Sequence, residues 1–212
     1  MATRQKAERS ELSSADQLLN ATSALMIERN SVDITFSDIA EKSGLNAALI
    51  RYHYGSKNGM FMALLERDAG GTFDELETLV NSDMNAAQKL RHHVHGIIKV
   101  YFRFPYMNRL VAALAVETDS ETARFISERF TRPLAAAQKS ILEQGVAEGV
   151  FRPIDPLFFY FSLIGACDHL FVARHSLRYA FGIDDIDDAL RRGYAEHVTD
   201  ILMRSVLVKP EA

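Results

Sequence analysis

The sequence predicts an all-α chain in two parts, an N-terminal three-helix helix-turn-helix domain over residues 1–57 and a larger helical domain over 58–212. Three observations predict it. Apolar residues recur at steps of three and four along most of the chain, and no stretch of any length alternates as a strand would. Residues 34–57 read as two short helices about a tight turn, with Gly44 at the turn. Leu157 to Ala173 are apolar on nearly all sides, and a helix of that kind has to be enclosed by protein.

Residues 1–11 form a polar arm, with Arg4, Lys6 and Arg9 set against Glu8. Such an arm is disordered when free and can touch a nucleic-acid backbone or minor groove when bound. From Leu12 to Arg29 the apolar positions Leu12, Ala15, Leu18, Leu19, Leu25 and Met26 follow helical spacing, and Asn30 and Ser31 break it. Ser13 or Ser14 can start this helix, with Asp16 favourable near its positive end. Thr35 caps the next helix, and Asp38 three residues on gives an imperfect capping box, since Glu is usual there. Phe36, Ile39 and Ala40 supply the apolar face. Gly44 then stops the helix, because glycine takes the left-handed conformation freely.

Asn46 can cap the helix that follows, and Leu45 and Leu49 would pack it back on the first. Ala47, Ala48, Arg51, Tyr52 and His53 remain on its outer side. Small residues at a helix start allow close approach to another surface, and Arg, Tyr and His can donate to phosphates and base edges. This is the pattern of a helix that enters the DNA major groove.

A fourth helix, 57–80, begins at Lys57 with Met60, Phe61, Leu64 and Leu65 apolar. Gly70 and Gly71 interrupt its pattern and suggest a joint between the two parts. Further helices are expected near 85–103, 105–117, 119–148, 155–179 and 185–207. Pro105 and Pro156 suit helix starts, whereas Pro133 should kink or split its run after Arg132. Tyr194, Val198, Ile201 and Leu202 share a face of the last helix and could form a dimer interface with a symmetry mate.

Composition narrows the function. Hydrophobic residues make up 48% and charged residues 25%, which suits a globular chain. No apolar run approaches the ~20 residues of a membrane span, and the N-terminus lacks the apolar core of a signal peptide. The single cysteine, Cys167, fits a reducing cytoplasm. Residues 1–57 balance seven Lys/Arg with seven Asp/Glu, so the rest of the chain carries the whole net charge of −4. A neutral domain still binds DNA if its cations share one face. There is no Gly-rich phosphate loop, nucleophile elbow or zinc-protease motif, so no catalytic residue and no cofactor is expected.

The order Thr35, Asp38-Ile39-Ala40, Gly44-Leu45, Tyr52-His53-Tyr54, Ser56-Lys57, Met60-Phe61 runs without a gap over about 27 residues. It resembles the DNA-binding segment of the TetR/AcrR family of transcriptional repressors. Three positions depart from the family pattern: Arg51 replaces the usual first Tyr of the recognition helix, Ala47-Ala48-Leu49 replace Lys-Gly-Thr, and Gly55 replaces Pro. The first two should change base readout, and the third should loosen the link to the next helix. The resemblance implies a ligand-responsive regulator that binds double-stranded operator DNA as a homodimer through its last two long helices. Thr35, Ser37, Asn46, Ala47, Ala48, Arg51, Tyr52, His53 and Lys57 are the expected DNA-facing set.

The implied effector is small and largely hydrophobic. Its expected pocket takes Phe102, Tyr106, Leu110, Leu114, Phe125, Phe130, Phe161 and His169, with Phe104, Phe158 and Phe171 as further candidates. For Asp168 and His169 two readings stand. Either they pair across the dimer interface or with Arg174, or His169 lines the pocket. His92 and His95 share a helix face but His93 does not, so these histidines are expected at a solvated or pocket-rim position rather than on a metal. Two other functions stay open: a small-molecule binder that has lost operator binding, and an enzyme working in the same cavity.

Overall fold

The computed structural model describes residues 12–116 and 120–208. Among the described residues there is no strand, and a single antiparallel bridge joins Phe151 to Leu207. The basic arm with Arg4, Lys6 and Arg9 lies outside the described residues.

The N-terminal part comprises α1 (Ser14–Arg29), α2 (Phe36–Ser43) and α3 (Ala48–Tyr54), followed by the long α4 (Lys57–Val80). Local chemistry sets the helix starts. Ser13 accepts from the Asp16 N–H and Ser56 from the Gly59 N–H. At α2 the box is complete: Thr35 accepts from the Asp38 N–H, and the Asp38 carboxylate accepts from the Thr35 N–H at 2.7 Å. Asp reaches as well as Glu would, so the expected imperfection is absent.

The larger part contains α5 (Ala86–Arg103), α6 (Met107–Leu114), α7 (Glu121–Ile126), α8 (Arg132–Ala147), α9 (Pro156–Val172), α10 (Arg174–Phe181) and α11 (Asp188–Val206). Helix α5 is central and packs on α4, α8, α9 and α11. The Lys89 ammonium, buried on α5, donates to the last carbonyl of α4 at Val80 and to Gln144 of α8. A cation there complements the negative end of α4.

Three expectations about helix continuity change. Helix α4 runs unbroken through Gly70 and Gly71, because Ala69 and Leu76 are buried on either side and packing outweighs the ~1 kcal/mol propensity cost of each glycine. The 119–148 run is interrupted by a π-helical turn over Ser127–Thr131, where the Arg132 N–H reaches back five residues to the Ser127 carbonyl. Pro133 has no N–H to continue the regular ladder, so the turn ahead of it widens. The 155–179 run divides at Ala173, with a 63° bend between α9 and α10.

One apolar core passes through both parts, from Leu18, Met26 and Ile50 through Leu64 to Leu90, Leu110 and Leu163. Helix α9 turns Phe159, Leu163, Cys167 and Phe171 into this core and leaves Leu157, Phe158 and Phe161 exposed. On α11 the expected interface set divides. Val198 and Leu202 are buried within the chain, Tyr194 donates to the Ala166 carbonyl, and Ile201 stays exposed. Among the described residues no single helix is long and apolar enough to cross a membrane.

Candidate nucleic-acid interface and adjoining cavity

The outer surface of the N-terminal part is built on a fully buried anchor. Ile50 is 0% exposed under α3, with Leu45 and Leu49 half-buried beside it. The opposite side shows Ala48, Arg51 and Tyr52 to solvent, Tyr52 at 81%. Asn46 begins the helix, its side chain accepting from the Ala48 N–H at 2.8 Å. Ala47 is half-buried. Ser37 lies exposed on the first turn of α2, next to Thr35.

Neighbouring ties hold this surface in shape. Arg29 of α1 grips Asp38 of α2 at 2.8 Å, and Lys42 of α2 reaches Glu28 of α1. Hydrogen bonds from Arg29 and Thr35 hold the Asp38 carboxyl well below the usual carboxylate range. Two of the expected contact groups are partly engaged. The Thr35 hydroxyl donates to Asp38 at 2.6 Å, so capping is its resident role. His53 is half-buried, its Nε2 2.7 Å from the Ser14 hydroxyl, rather than turned fully outward. The Lys57 ammonium sits 5.4 Å over the Phe61 ring.

The link from α3 to α4 is a tight turn, not the slack one expected. The Ser56 N–H bonds the Tyr54 carbonyl at 2.8 Å across Gly55, which has φ 73° and ψ −46°. Proline, locked near −65°, has no access to that conformation. Together these features present exposed cationic and hydroxyl donors on a short helix with a fixed bearing, which is what reading a DNA groove requires.

A cavity of about 330 Å³ lies in the larger part, among α4, α5, α6, α8, α9 and the π turn. Of the eight side chains expected there, Phe130 alone belongs to its wall. Phe102 packs against Phe171 and under Arg191, and Phe125 stacks on Phe130 from outside the cavity. Tyr106, Leu110 and Leu114 are core residues, while Phe161 and His169 face solvent. The wall is made instead by residues such as Phe73, Leu76, Ile97, Tyr101, Met107, Leu134, Tyr160 and Ile164, with polar groups from Thr72, His93, Asn108 and Thr131.

His93 is a buried cavity residue that sequence reasoning left at a solvated or rim position. It is 4% exposed and, among the described residues, its Nε2 has no hydrogen-bond partner. Burial lowers its pKa to about 4. The missed signal is its place in the inward stripe of α5 between Lys89 and Ile97, one turn from each. His92 stands exposed at the cavity's edge. Among the described residues no three metal-ligating side chains cluster. Asp168 accepts from the Asn108 amide at 2.9 Å, and among the described residues it forms no salt bridge with Arg174. Cys167 is buried, and burial pushes its thiol up to about 12.

The model for bacterial regulatory proteins of the tetR family matches residues 18–64, and that for the tetracyclin repressor-like C-terminal domain matches residues 83–211, more than half of the chain. The chain belongs to the TetR family. It is a DNA-binding transcriptional regulator and not an enzyme. The chain is 24% identical over 197 residues to the transcriptional repressor NicS of Pseudomonas putida, covering 90% of this chain and 91% of NicS. It is 25% identical over 137 residues to the transcriptional activator FasR of Mycolicibacterium smegmatis, covering 64% of this chain but only 56% of FasR. The ketosteroid transcriptional regulator KstR2 of Mycobacterium tuberculosis shares the fold, with TM-score 0.70 and 19% identity over 93% of this chain and 96% of that one.

In this TetR-family chain, α6 lies between the cavity and the N-terminal part. Met107, Asn108 and Val111 line the cavity. From the same helix, Arg109 donates to the carbonyl and the side-chain oxygen of Asn30 at the end of α1. Tyr106, at its start, hydrogen-bonds Ser23 of α1 and Asp68 of α4. Burial, then the bond to Asp68, raises the Tyr106 pKa.

Proposed function

We propose that this TetR-family chain is a cytoplasmic homodimeric repressor, released from a palindromic operator by a small and largely apolar effector. The face of α3 carries this reading: Tyr52 stands exposed across the helix from a fully buried Ile50, with Arg51 exposed beside it. Residues 1–57 act as the reading head and 58–212 as the effector-binding and dimerising part. Two such heads place their α3 helices in successive major grooves, ~34–36 Å apart. Arg51 grips a guanine edge, Ala47 and Ala48 meet thymine methyls, and Thr35, Ser37, Asn46, Tyr52, His53 and Lys57 position the backbone. The exposed apolar side chains Leu157, Phe158, Phe161 and Ile201 form the dimer contact, since a patch of that kind on a soluble chain marks an interface.

The effector occupies the 330 Å³ cavity. By pressing on Met107, Asn108 and Val111 it displaces α6, and Arg109 and Tyr106 carry that displacement to α1 and α4. The effector releases DNA only insofar as it prefers the displaced arrangement. NicS is named a repressor, which favours repression. Anisotropy titrations of the purified dimer with the DNA upstream of its own gene test the proposal. Sequence-specific, salt-dependent binding that lowers reporter output is the expected result. A monomer, or binding that ignores sequence, would overturn it.

A further inference from the structure

The cavity contains a chemical asymmetry that limits what it accepts. Among the described residues no lysine or arginine lines it, and the one carboxylate, Glu75, is exposed at the edge. An anion inside would meet no fixed positive charge, and a cation would meet no buried negative one. Burial of an unpaired ion is strongly unfavourable. Yet the wall is not indifferent to polarity, because the buried His93 imidazole lines it and leaves Nε2 without a partner. An unmet buried hydrogen-bonding group makes a site discriminate strongly in favour of a ligand that satisfies it.

Resting on the assignment of this cavity to the effector, we propose that its ligand is an uncharged, mainly aromatic or alicyclic molecule whose single hydroxyl is bound by His93. A neutral imidazole carries one donor and one acceptor, and a hydroxyl answers either. Burial keeps His93 in that neutral form. The size follows from the volume: a cavity of ~150 Å³ holds benzene, so 330 Å³ holds about two fused or linked rings. Phe73, Phe130, Tyr101 and Tyr160 offer ring faces and edges to such a frame.

Three probes with the same ring system separate the possibilities: 2-naphthol, naphthalene and 2-naphthoate. Each is titrated by fluorescence and calorimetry into the full-length protein near neutral pH, as wild type, His93→Phe and His93→Gln. In the wild type, 2-naphthol should bind about tenfold more tightly than naphthalene, and 2-naphthoate should bind most weakly. His93→Phe should bring 2-naphthol down to the affinity of naphthalene while naphthalene itself is retained, and His93→Gln should keep part of the preference. Equal wild-type binding of 2-naphthol and naphthalene would overturn the role of His93 but leave the cavity a ligand site. Tightest binding of 2-naphthoate would overturn the uncharged class. Failure of all three to bind would overturn the cavity assignment itself. The wild-type comparison decides the matter even if a His93 variant fails to fold.

Discussion

The two parts of this chain treat their polar groups differently. In the head, the side chains that set its shape are matched: Thr35 with Asp38, Asp38 with Arg29, Glu28 with Lys42, His53 with Ser14, and Tyr54 with the Ala15 carbonyl. In the larger part, His93, Arg109, Gln138, Asp168, Arg174 and Thr199 each have a buried polar atom without a partner, and among the described residues no head residue does. The difference teaches a division of labour. A surface that must fit a rigid duplex benefits from one over-determined geometry. A region that responds to a ligand benefits from groups whose hydrogen bonds are completed, or exchanged, when the ligand arrives.

The largest expected effect probes the unmatched side. An unfolded histidine binds a proton below about pH 6.5, whereas buried His93 does so only near 4. The unfolded state therefore gains protons first as pH falls. The contribution is fully present above 6.5, declines between 6.5 and 4, and levels off below. The slope is about 1.4 kcal/mol per pH unit, roughly 3 kcal/mol in all. Glu75, His92, Tyr101 and Tyr160 are the other titratable groups of the cavity wall and remain in a His93→Phe variant. Urea unfolding of both proteins across this range should give a difference curve of that shape, and parallel curves would contradict it.

The next effect breaks the matched side. A Cβ on Gly59 would lie 2.2 Å from the Tyr54 carbonyl oxygen, at the turn that joins α3 to α4. Gly59→Ala should cost ~2–3 kcal/mol of stability through forced backbone movement. Its operator affinity should collapse, while naphthalene binding to the cavity is kept; loss of both together would deny that the two parts can be separated. A smaller and more selective change is expected from Arg51→Ala, about 1–3 kcal/mol at one base pair per half-site. Lys57→Ala should instead weaken every sequence alike and reduce the salt dependence. An unchanged base profile for Arg51→Ala would remove it from base readout. The smallest effect concerns the connection. Arg109→Met removes the grip on Asn30 and should lower the effector's influence on DNA affinity by ~0.5–2 kcal/mol, leaving effector binding intact. Full coupling in that variant would move the route away from α6.

Much of the head was legible because its signals are local. Ser13, Thr35 and Ser56 each cap a helix within three residues, and Gly44 ends one at φ 74°. Even there the bond between His53 and Ser14 was not legible, since the two are 39 residues apart. In the larger part helix existence was legible but the roles of side chains were not. Phe102 and Tyr101 are adjacent and equally aromatic, yet a turn of about 100° puts Tyr101 on the cavity and Phe102 against Phe171 and Arg191. Gly70 and Gly71 have the same local propensity wherever they occur, and only the packing of Ala69 and Leu76 keeps α4 continuous there.

By itself the amino-acid sequence determined an all-helical chain, the ends of its capped helices, and the side of α3 that carries Arg51 and Tyr52. These follow from periodicity and from bonds that close within a few residues. Tertiary structure alone decided that Phe130 lines the cavity while Phe161 faces out, that Val198 and Leu202 are core, and that His93 is buried without a partner. Helical spacing states which residues share a face; what covers that face depends on elements distant in the chain, whose packing no local rule contains.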